Sequence, residues 1–404
     1  MESRPHPAGG TPFRRAIAVG AALALVVGII VLAFAWPSVT AEPKDLPVAV
    51  AGPDASVAQV ESRVAEQADG AVALERVDDR DAAVASIESR EVYGAIILGE
   101  APTDAPEVLV ASAASPVVAQ TLRAMAAELQ QGIDAQVREQ LPAQLSGVLQ
   151  DAVRAAVQAA LAQASGQAPA APPAAPSVPE IPTVTVAVTD VVPLADTDPR
   201  GTGLTAAMFP IVIGGMLGGI AISLAVIGAM RRVAAVVVYS AVGGLLLTGI
   251  LQGWFGALQG DYWVNSAAIA LALAAIAAPI TGLVALIGRA GIALGAVTFL
   301  LGANPISAAA IPVEFLPAPW GAVGQWFPPG AAATLLRDLS YFPSADATFP
   351  WLVLAAWATG GIVLSLVGHF RTAGGAEPDA EAAHADEAEA APAETTDREL
   401  TPVI

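Results

Sequence analysis

Six runs of apolar residues, at 16–36, 204–229, 233–252, 264–287, 290–302 and 350–370, contain no Asp, Glu, Lys or Arg. The first, AIAVGAALALVVGIIVLAFAW, would reach about 31 Å as a helix, enough to cross a bilayer core. Inside lipid every backbone polar group must find its partner within the protein, so runs of this kind commit a chain to α-helical spans. The composition agrees, with 55% hydrophobic and 14% charged residues, where a soluble domain carries about a quarter charged. The predicted fold class is an α-helical polytopic membrane protein with six transmembrane helices.

The basic residues orient these spans. Arg14 and Arg15 precede the first, Arg231 and Arg232 separate the second from the third, Arg289 separates the fourth from the fifth, and Arg371 follows the sixth. If the first span runs outward, all six arginines fall on one side, and the positive-inside rule places both termini in the cytoplasm. A cleavable signal peptide is the alternative for the first run, with a small-residue site near Ala41. The run is longer than the usual core of such a peptide, about 7–15 residues, so an uncleaved anchor is expected. The connection after the third span carries Trp254, Asp261, Tyr262 and Trp263, the aromatic belt of an outer interface. Residues 303–349 are apolar yet hold Pro305, Pro312, Pro317, Pro319, Pro328, Pro329 and Pro343. One spanning helix tolerates few such breaks, so two half-helices forming a re-entrant hairpin from the outer side are predicted before the last span.

Residues 37–203 lie between the first two spans and hold 23 acids against 9 bases. Short β-like runs at 47–51, 71–77, 92–98 and 108–111 alternate with amphipathic stretches at 54–68 and 79–90. That alternation predicts a small extracytoplasmic α/β domain inserted between helices 1 and 2. From 116 to 163, Val118, Leu122, Met125, Leu129, Ile133, Val137, Leu141 and Leu145 recur every three or four residues. They form the stripe of one long helix, in which Pro142 is expected to introduce a kink. A Pro/Ala linker at 165–182 follows, then a last strand near 183–192 that is expected to complete the sheet begun near Val48. The tail at 371–404 has nine acids and two arginines, and a disordered cytoplasmic tail is expected.

Charge and motif exclude much else. A net charge of −19 argues against a nucleic-acid surface, which needs clustered Lys and Arg. The chain has no cysteine and three scattered histidines, His6, His369 and His384, so neither a disulfide framework nor a histidine or thiolate metal centre is expected. The one lysine, Lys44, follows Pro43 rather than a glycine, so the chain has no Walker A motif. No hydrolase, zinc-protease or dinucleotide fingerprint is present, and neither catalytic residues nor a cofactor is expected. Ion-coupled carriers place ionisable groups inside their bundle. These runs are interrupted instead by neutral Ser223, Thr248, Thr281, Thr298 and Thr359, and a proton-driven carrier is not expected.

The overlapping pairs Gly214 with Gly218 and Gly215 with Gly219 give the second span small faces for close helix packing. Packing inside the bundle is preferred over a dimer seam, and Gly291 with Gly295 is read the same way. In the hairpin, Glu314, Arg337 and Asp338 are the charges nearest membrane depth. Two readings stand beside each other, a functional group within the membrane and a polar cap of the second half-helix at the outer boundary.

The order of parts resembles the ABC-2-type transporter permeases, in the branch with a large outer domain that includes the phage-infection-protein group. The likeness rests on DLPVAVAGPDAS at 45–56, on DAAVASIESREVYGAIIL at 81–98, and on IPVEFLPAPWGAVGQWFPPGAAATLLRDLSYF at 311–342. Within the last, the resemblance sets Pro312, Leu316 with Pro317, Pro328 with Pro329, and Leu336 with Arg337 on the family's hairpin pattern. It implies a homodimeric or heterodimeric export permease in a bacterial plasma membrane. Such a permease works with a separate cytoplasmic ATPase subunit and moves a lipid, drug or envelope component outward. The turn between the second and third spans is little more than residues 230–233. Its brevity keeps open a non-transporting envelope scaffold or secretion accessory that binds partners through the outer domain.

Overall fold

The structure is a computed structural model that describes residues 13–67, 70–99, 104–164 and 184–372. The N-terminal residues 1–12, the Pro/Ala linker and the acidic tail beyond Thr372 lie outside the described residues. The chain divides into two compact units: Pro43–Leu194 with Tyr341–Ala345, and the remainder, from which the apolar helices are built.

The smaller unit is built on a five-stranded sheet of β1 (Leu46–Ala51), β2 (Val72–Arg76), β3 (Gly94–Ile97), β4 (Glu107–Val110) and β5 (Ala187–Asp190). The strand order is β2-β1-β3-β4-β5. β1 is parallel to β2 and β3, β3 and β4 are antiparallel, and β5 runs parallel to β4. The expected last strand does complete the sheet that holds β1, and it does so from the outer edge beside β4, because β3 and β4 occupy the free side of β1. Val48, Ala49, Val50 and Ala51 are all buried, the near-continuous apolar run of a strand covered on both faces. Ala83 and Ile87 of helix α3 (Arg80–Glu88) pack on one face with Ala49, Ala95 and Leu109. α3 begins where the Asp79 carboxylate accepts the Ala82 N–H at 2.8 Å, an N-cap of the usual kind. Helix α2 (Asp54–Gln67) and the first turns of α4 (Pro116–Ala164) cover the other face, where Leu122 fills the space a side chain at Gly94 would need. α4 is helical through Pro142.

A charged cluster ties α3 to β4 and the edge strand β5. Arg80 donates to both carboxylate oxygens of Glu107, Nε to Oε2 at 2.7 Å and one terminal nitrogen to Oε1 at 3.1 Å, and Thr189 Oγ1 donates to Oε1 at 2.6 Å. The Arg80 hydrogen bonds are the largest cause holding the Glu107 carboxyl below its ordinary range. A carboxyl depressed in the folded state stabilises above its unfolded pKa and loses that contribution as pH falls through the folded value. Acidifying the purified protein below about pH 4 therefore weakens this unit, and Glu107→Gln reduces the acid sensitivity of its unfolding. Chemical unfolding of the two proteins followed from pH 7 to pH 3 checks this, and parallel curves would refute it.

Among the described residues, the larger unit contains five helices long and apolar enough to cross a membrane: Phe13–Pro37, Thr202–Ala225, Ala229–Trp254, Tyr262–Ile287 and Thr348–Phe370. They belong to α1 (Phe13–Val39), α5 (Thr202–Ala225), α6 (Ala229–Thr248) with its π-helical extension Gly249–Trp254, α7 (Tyr262–Ile287) and α11 (Thr348–Thr372). The fifth predicted run forms only a short apolar helix, Ala290–Ala303, composed of α8 (Ala290–Ala296) and a second π-helical segment, Val297–Ala303. At 1.5 Å per residue it extends about 21 Å, short of the roughly 30 Å hydrocarbon core.

α7 is the enclosed centre of this unit, buried from Asn265 to Val284 on most of its surface. α11 lies parallel to it, with Gly361 against Ala278 and Pro279, Gly282 against Gly361 and Leu364, and Gly368 against Ala285. Small residues at each meeting point let two backbones approach, which is how helices gain packing energy in lipid, where the hydrophobic effect between them vanishes. On the other side, Gly215 of α5 faces Ile276 and Gly219 faces Ala277 and Ile280.

Candidate functional site

The membrane-helix unit contains a cavity of about 480 Å³ beside α5 and the far end of α6, within the size range of small-ligand sites. Ala206, Ala207, Pro210 and Ile211 line it from α5, and Leu247, Ile250 and Leu251 from α6 and its π-helical extension. A π-helical turn widens the helix by one residue and is frequent at functional sites. Polar groups gather at one end, at Thr197, Asp198 and Thr202. Thr197 Oγ1 donates to the Gly256 carbonyl at 2.7 Å. Gly256 sits at φ +63, and an added Cβ would lie 2.7 Å from Thr197, so glycine is required there on both counts.

Asp198 is 9% exposed. Its Oδ2 accepts the Gly203 N–H at 2.7 Å and its Oδ1 the Thr202 N–H at 3.1 Å, which satisfies orphan donors at the start of α5. Pro210 sits within α5 and has no N–H to offer the Ala206 carbonyl one turn earlier. The polar groups of the lining are therefore the Asp198 carboxylate, two threonine hydroxyls and backbone carbonyls, with no basic side chain. The surrounding apolar side chains Phe209, Leu246, Trp254 and Phe255 are exposed.

The α6–α7 turn adjoining this region is held by side-chain amides. Asn265, fully buried, donates to Gln252 Oε1 at 3.0 Å and to the Gln259 carbonyl at 2.7 Å, and Gln252 donates to the Gly260 carbonyl at 2.9 Å. Asp261 caps α7 by accepting the N–H groups of Trp263 and Val264, both at 2.9 Å.

The Pro-rich stretch folds as a 3₁₀ turn at Val313–Phe315, α9 (Trp320–Gly324) and α10 (Pro328–Tyr341). Pro312 caps the 3₁₀ turn, Glu314 is half-buried within it and Leu316 is buried just after it. The Pro317 carbonyl accepts the Trp320 N–H at 2.9 Å. Pro328 and Pro329 open α10, where their missing N–H groups cost nothing. Arg337 donates to the Ala309 carbonyl at 3.2 Å, and Asp338 is buried. Gln325 joins the two short helices by donating to the Ser307 carbonyl at 3.2 Å and accepting from Thr334 at 2.7 Å. Trp357 of α11 fixes the stretch, donating to the Trp326 carbonyl at 2.8 Å and meeting Phe327 at a tilt and Phe299 edge to face. Sequence reasoning passed over Trp357, Gln325, Asn265 and Asp198. An Asp six residues before the start of an apolar run was the available signal for the last of these.

The predicted glycine faces also have definite neighbours. Gly218 lies against the Tyr239 ring, and Tyr239 donates to the Gly214 carbonyl at 2.6 Å, while Gly215 and Gly219 meet α7. Gly291 lies against Leu283 and Val284, and Gly295 against Ile280. Among the arginines, Arg14 and Arg15 are exposed in the first turn of α1, Arg231 is exposed in the first turn of α6, Arg289 is exposed at the N-cap of α8, and Arg371 falls in the last turn of α11. Phe34 and Trp36, near the other end of α1, meet Phe209 of α5 and Trp320 of α9 edge to face.

Arg232 differs from the rest. It is 4% exposed, and its guanidinium donates to the Val226 carbonyl at 2.7 Å and the Ser223 carbonyl at 3.2 Å. A cation on the last carbonyls of α5 satisfies orphan acceptors and complements the helix dipole. Arg232→Met is expected to cost about 2–3 kcal/mol, since hydrogen bonds from a charged donor contribute about 1.5–3 kcal/mol, whereas Arg231→Met stays within about 0.5 kcal/mol. Thermal unfolding of both variants in the same detergent decides between this role and an interchangeable surface charge.

The class this geometry defines is a mostly helical protein with five helices long and apolar enough to span a membrane and a small sheet, consistent with a membrane protein. No family model, curated protein or solved structure matches the chain.

Proposed function

We propose that this chain is the membrane-spanning permease subunit of an ABC-2-type exporter, moving a lipid, drug or envelope component outward with a separate ATPase. The observation that carries the reading is the cavity beside α5 and α6, apolar along its walls, polar at one end and surrounded by exposed apolar side chains. A protein that accepts amphiphiles from a membrane needs such a recess open to the lipid phase. In this reading the chain sits in a bacterial plasma membrane as a dimer. The arginine-bearing helix ends and both termini are cytoplasmic, the α/β unit is extracytoplasmic, and Ala290–Ala303 with the Pro-rich stretch takes the place of a sixth span.

A second reading, a non-transporting envelope scaffold or secretion accessory, is favoured by one feature. Only Val226, Ile227 and Gly228 separate α5 from α6, which leaves no room there for a helix that an ATPase could push. Purification from the native membrane in mild detergent separates the two readings. A stoichiometric P-loop ATPase whose hydrolysis responds to this subunit supports the exporter, and secretion or envelope proteins without an ATPase support the scaffold. The chain has no cysteine, so Ser62→Cys in the exposed part of α2 tests the orientation cleanly. Labelling of intact cells by a membrane-impermeant maleimide is expected, and labelling only after lysis would reverse the topology.

A further inference from the structure

The cavity is more selective than a general recess for amphiphiles. We infer that it holds a single hydrocarbon chain of an amine-bearing membrane lipid, with the amine at the Asp198 end. The inference deepens the exporter reading at the same site, but the binding itself does not depend on transport.

Three observations converge. The volume of about 480 Å³, walled by Ala206, Ala207, Pro210, Ile211 and Leu251, suits one chain rather than the two chains of a whole diacyl lipid, and its walls are hydrocarbon. Its polar end carries a carboxylate and no base, so an anionic head group would meet repulsion with no countercharge, whereas a cation is complementary. The polar end also keeps acceptor capacity. Asp198 Oδ1 takes the Thr202 N–H and, at 3.5 Å, its hydroxyl, whereas Oδ2 takes one backbone N–H and keeps a further acceptor site, and the Ala206 carbonyl is relieved of its helical donor by Pro210. A head group that brings several N–H donors satisfies them, and an ammonium with three donors does so best. A quaternary ammonium has the charge without the donors.

Three diazirine-bearing probes with the same long alkyl chain test this in nanodiscs of neutral lipid, one ending in a primary amine, one in trimethylammonium and one in carboxylate. Irradiation is expected to label peptides covering 204–211 and 247–255, with the amine at least about fivefold above the carboxylate and about threefold above trimethylammonium, factors of the size that one ordinary net hydrogen bond confers. Ala206 is exposed on the cavity wall, so Ala206→Trp fills the cavity without entering the core and is expected to lower labelling at least about fivefold, the loss that follows from displacing little more than one buried methylene of the chain. Leu246→Trp, exposed and outside the lining, leaves labelling unchanged and controls for the added indole. Equal labelling by the three probes, or labelling indifferent to Ala206→Trp, overturns the inference. The exporter reading fails separately, through the absence of an ATPase partner. Selective labelling without a partner preserves the lipid site, and a partner without selective labelling preserves only the exporter.

Discussion

Gly361→Leu is expected to destabilise the protein by more than about 3 kcal/mol, the upper end of the usual cost of overpacking. The reason lies in what the new side chain would meet. A Cβ at Gly361 collides with the backbone of α7 at Ala278 and Pro279, and backbone inside a packed helix pair has no rotamer by which to withdraw. The two helices would have to separate along the whole seam of Gly282, Gly361 and Gly368. Gly360, its neighbour, has nothing within 4 Å of its would-be Cβ, and Gly360→Leu on the same helix is expected to change stability little. Thermal unfolding of the two variants in one detergent is the measurement. A Gly361 variant as stable as the Gly360 variant would mean that α7 and α11 do not pack through this seam.

Phe342→Ala is expected to cost about 3–5 kcal/mol, the range for truncating a buried aromatic side chain. Phe342 is 1% exposed and lies in the cluster of Ala49, Ile87, Ala95 and Leu109, with the Arg90 guanidinium 5.8 Å from its ring centre. The sequence sets this residue at the end of the Pro-rich stretch before the last apolar helix, yet Tyr341–Ala345 belongs to the α/β unit. Hydrogen exchange on the full-length protein reads the effect locally, as lost protection in β1 and β3. A loss confined to α10 and α11, with the sheet still protected, would remove Phe342 from the α/β core.

Much of the architecture was legible because lipid imposes a rule that can be read one residue at a time. A helix in hydrocarbon excludes charge along about 20 residues, so the runs at 16–36, 204–229, 233–252, 264–287 and 350–370 mark long helices by composition alone. The run at 290–302 obeys the exclusion but not the length, and its helix stops after 14 residues. The strands were legible for a related reason, since Val- and Ile-rich stretches bounded by Gly, Pro and Asp suit a buried pleat. The partner of β5 was not, because Ala187–Asp190 are exposed or half-buried and carry no buried pattern that would select a neighbour.

The candidate site was largely illegible. Its lining is mostly Ala, Leu, Ile and Pro, indistinguishable in sequence from the exposed apolar residues on either side. Asp198 reads as one acid among many until its oxygens are seen to close the start of α5. Glycine faces had the same weakness. In a chain with 37 glycines, spacing identifies a small-residue face without saying which helix meets it, and the Gly361 and Gly368 contacts with α7 follow no motif that was singled out.

The sequence by itself determined which segments are apolar helices, where their basic ends lie, and that a small sheet stands among them, because burial in lipid and in a pleated core each select side chains by local chemistry. Only the tertiary structure decided that Arg232 closes α5 while Arg231 stays exposed, that Phe342 completes the core of the α/β unit, and that Pro210 and Leu251 face one cavity. Those outcomes depend on which distant surfaces meet, and residues far apart in the chain carry no local mark of their future neighbours.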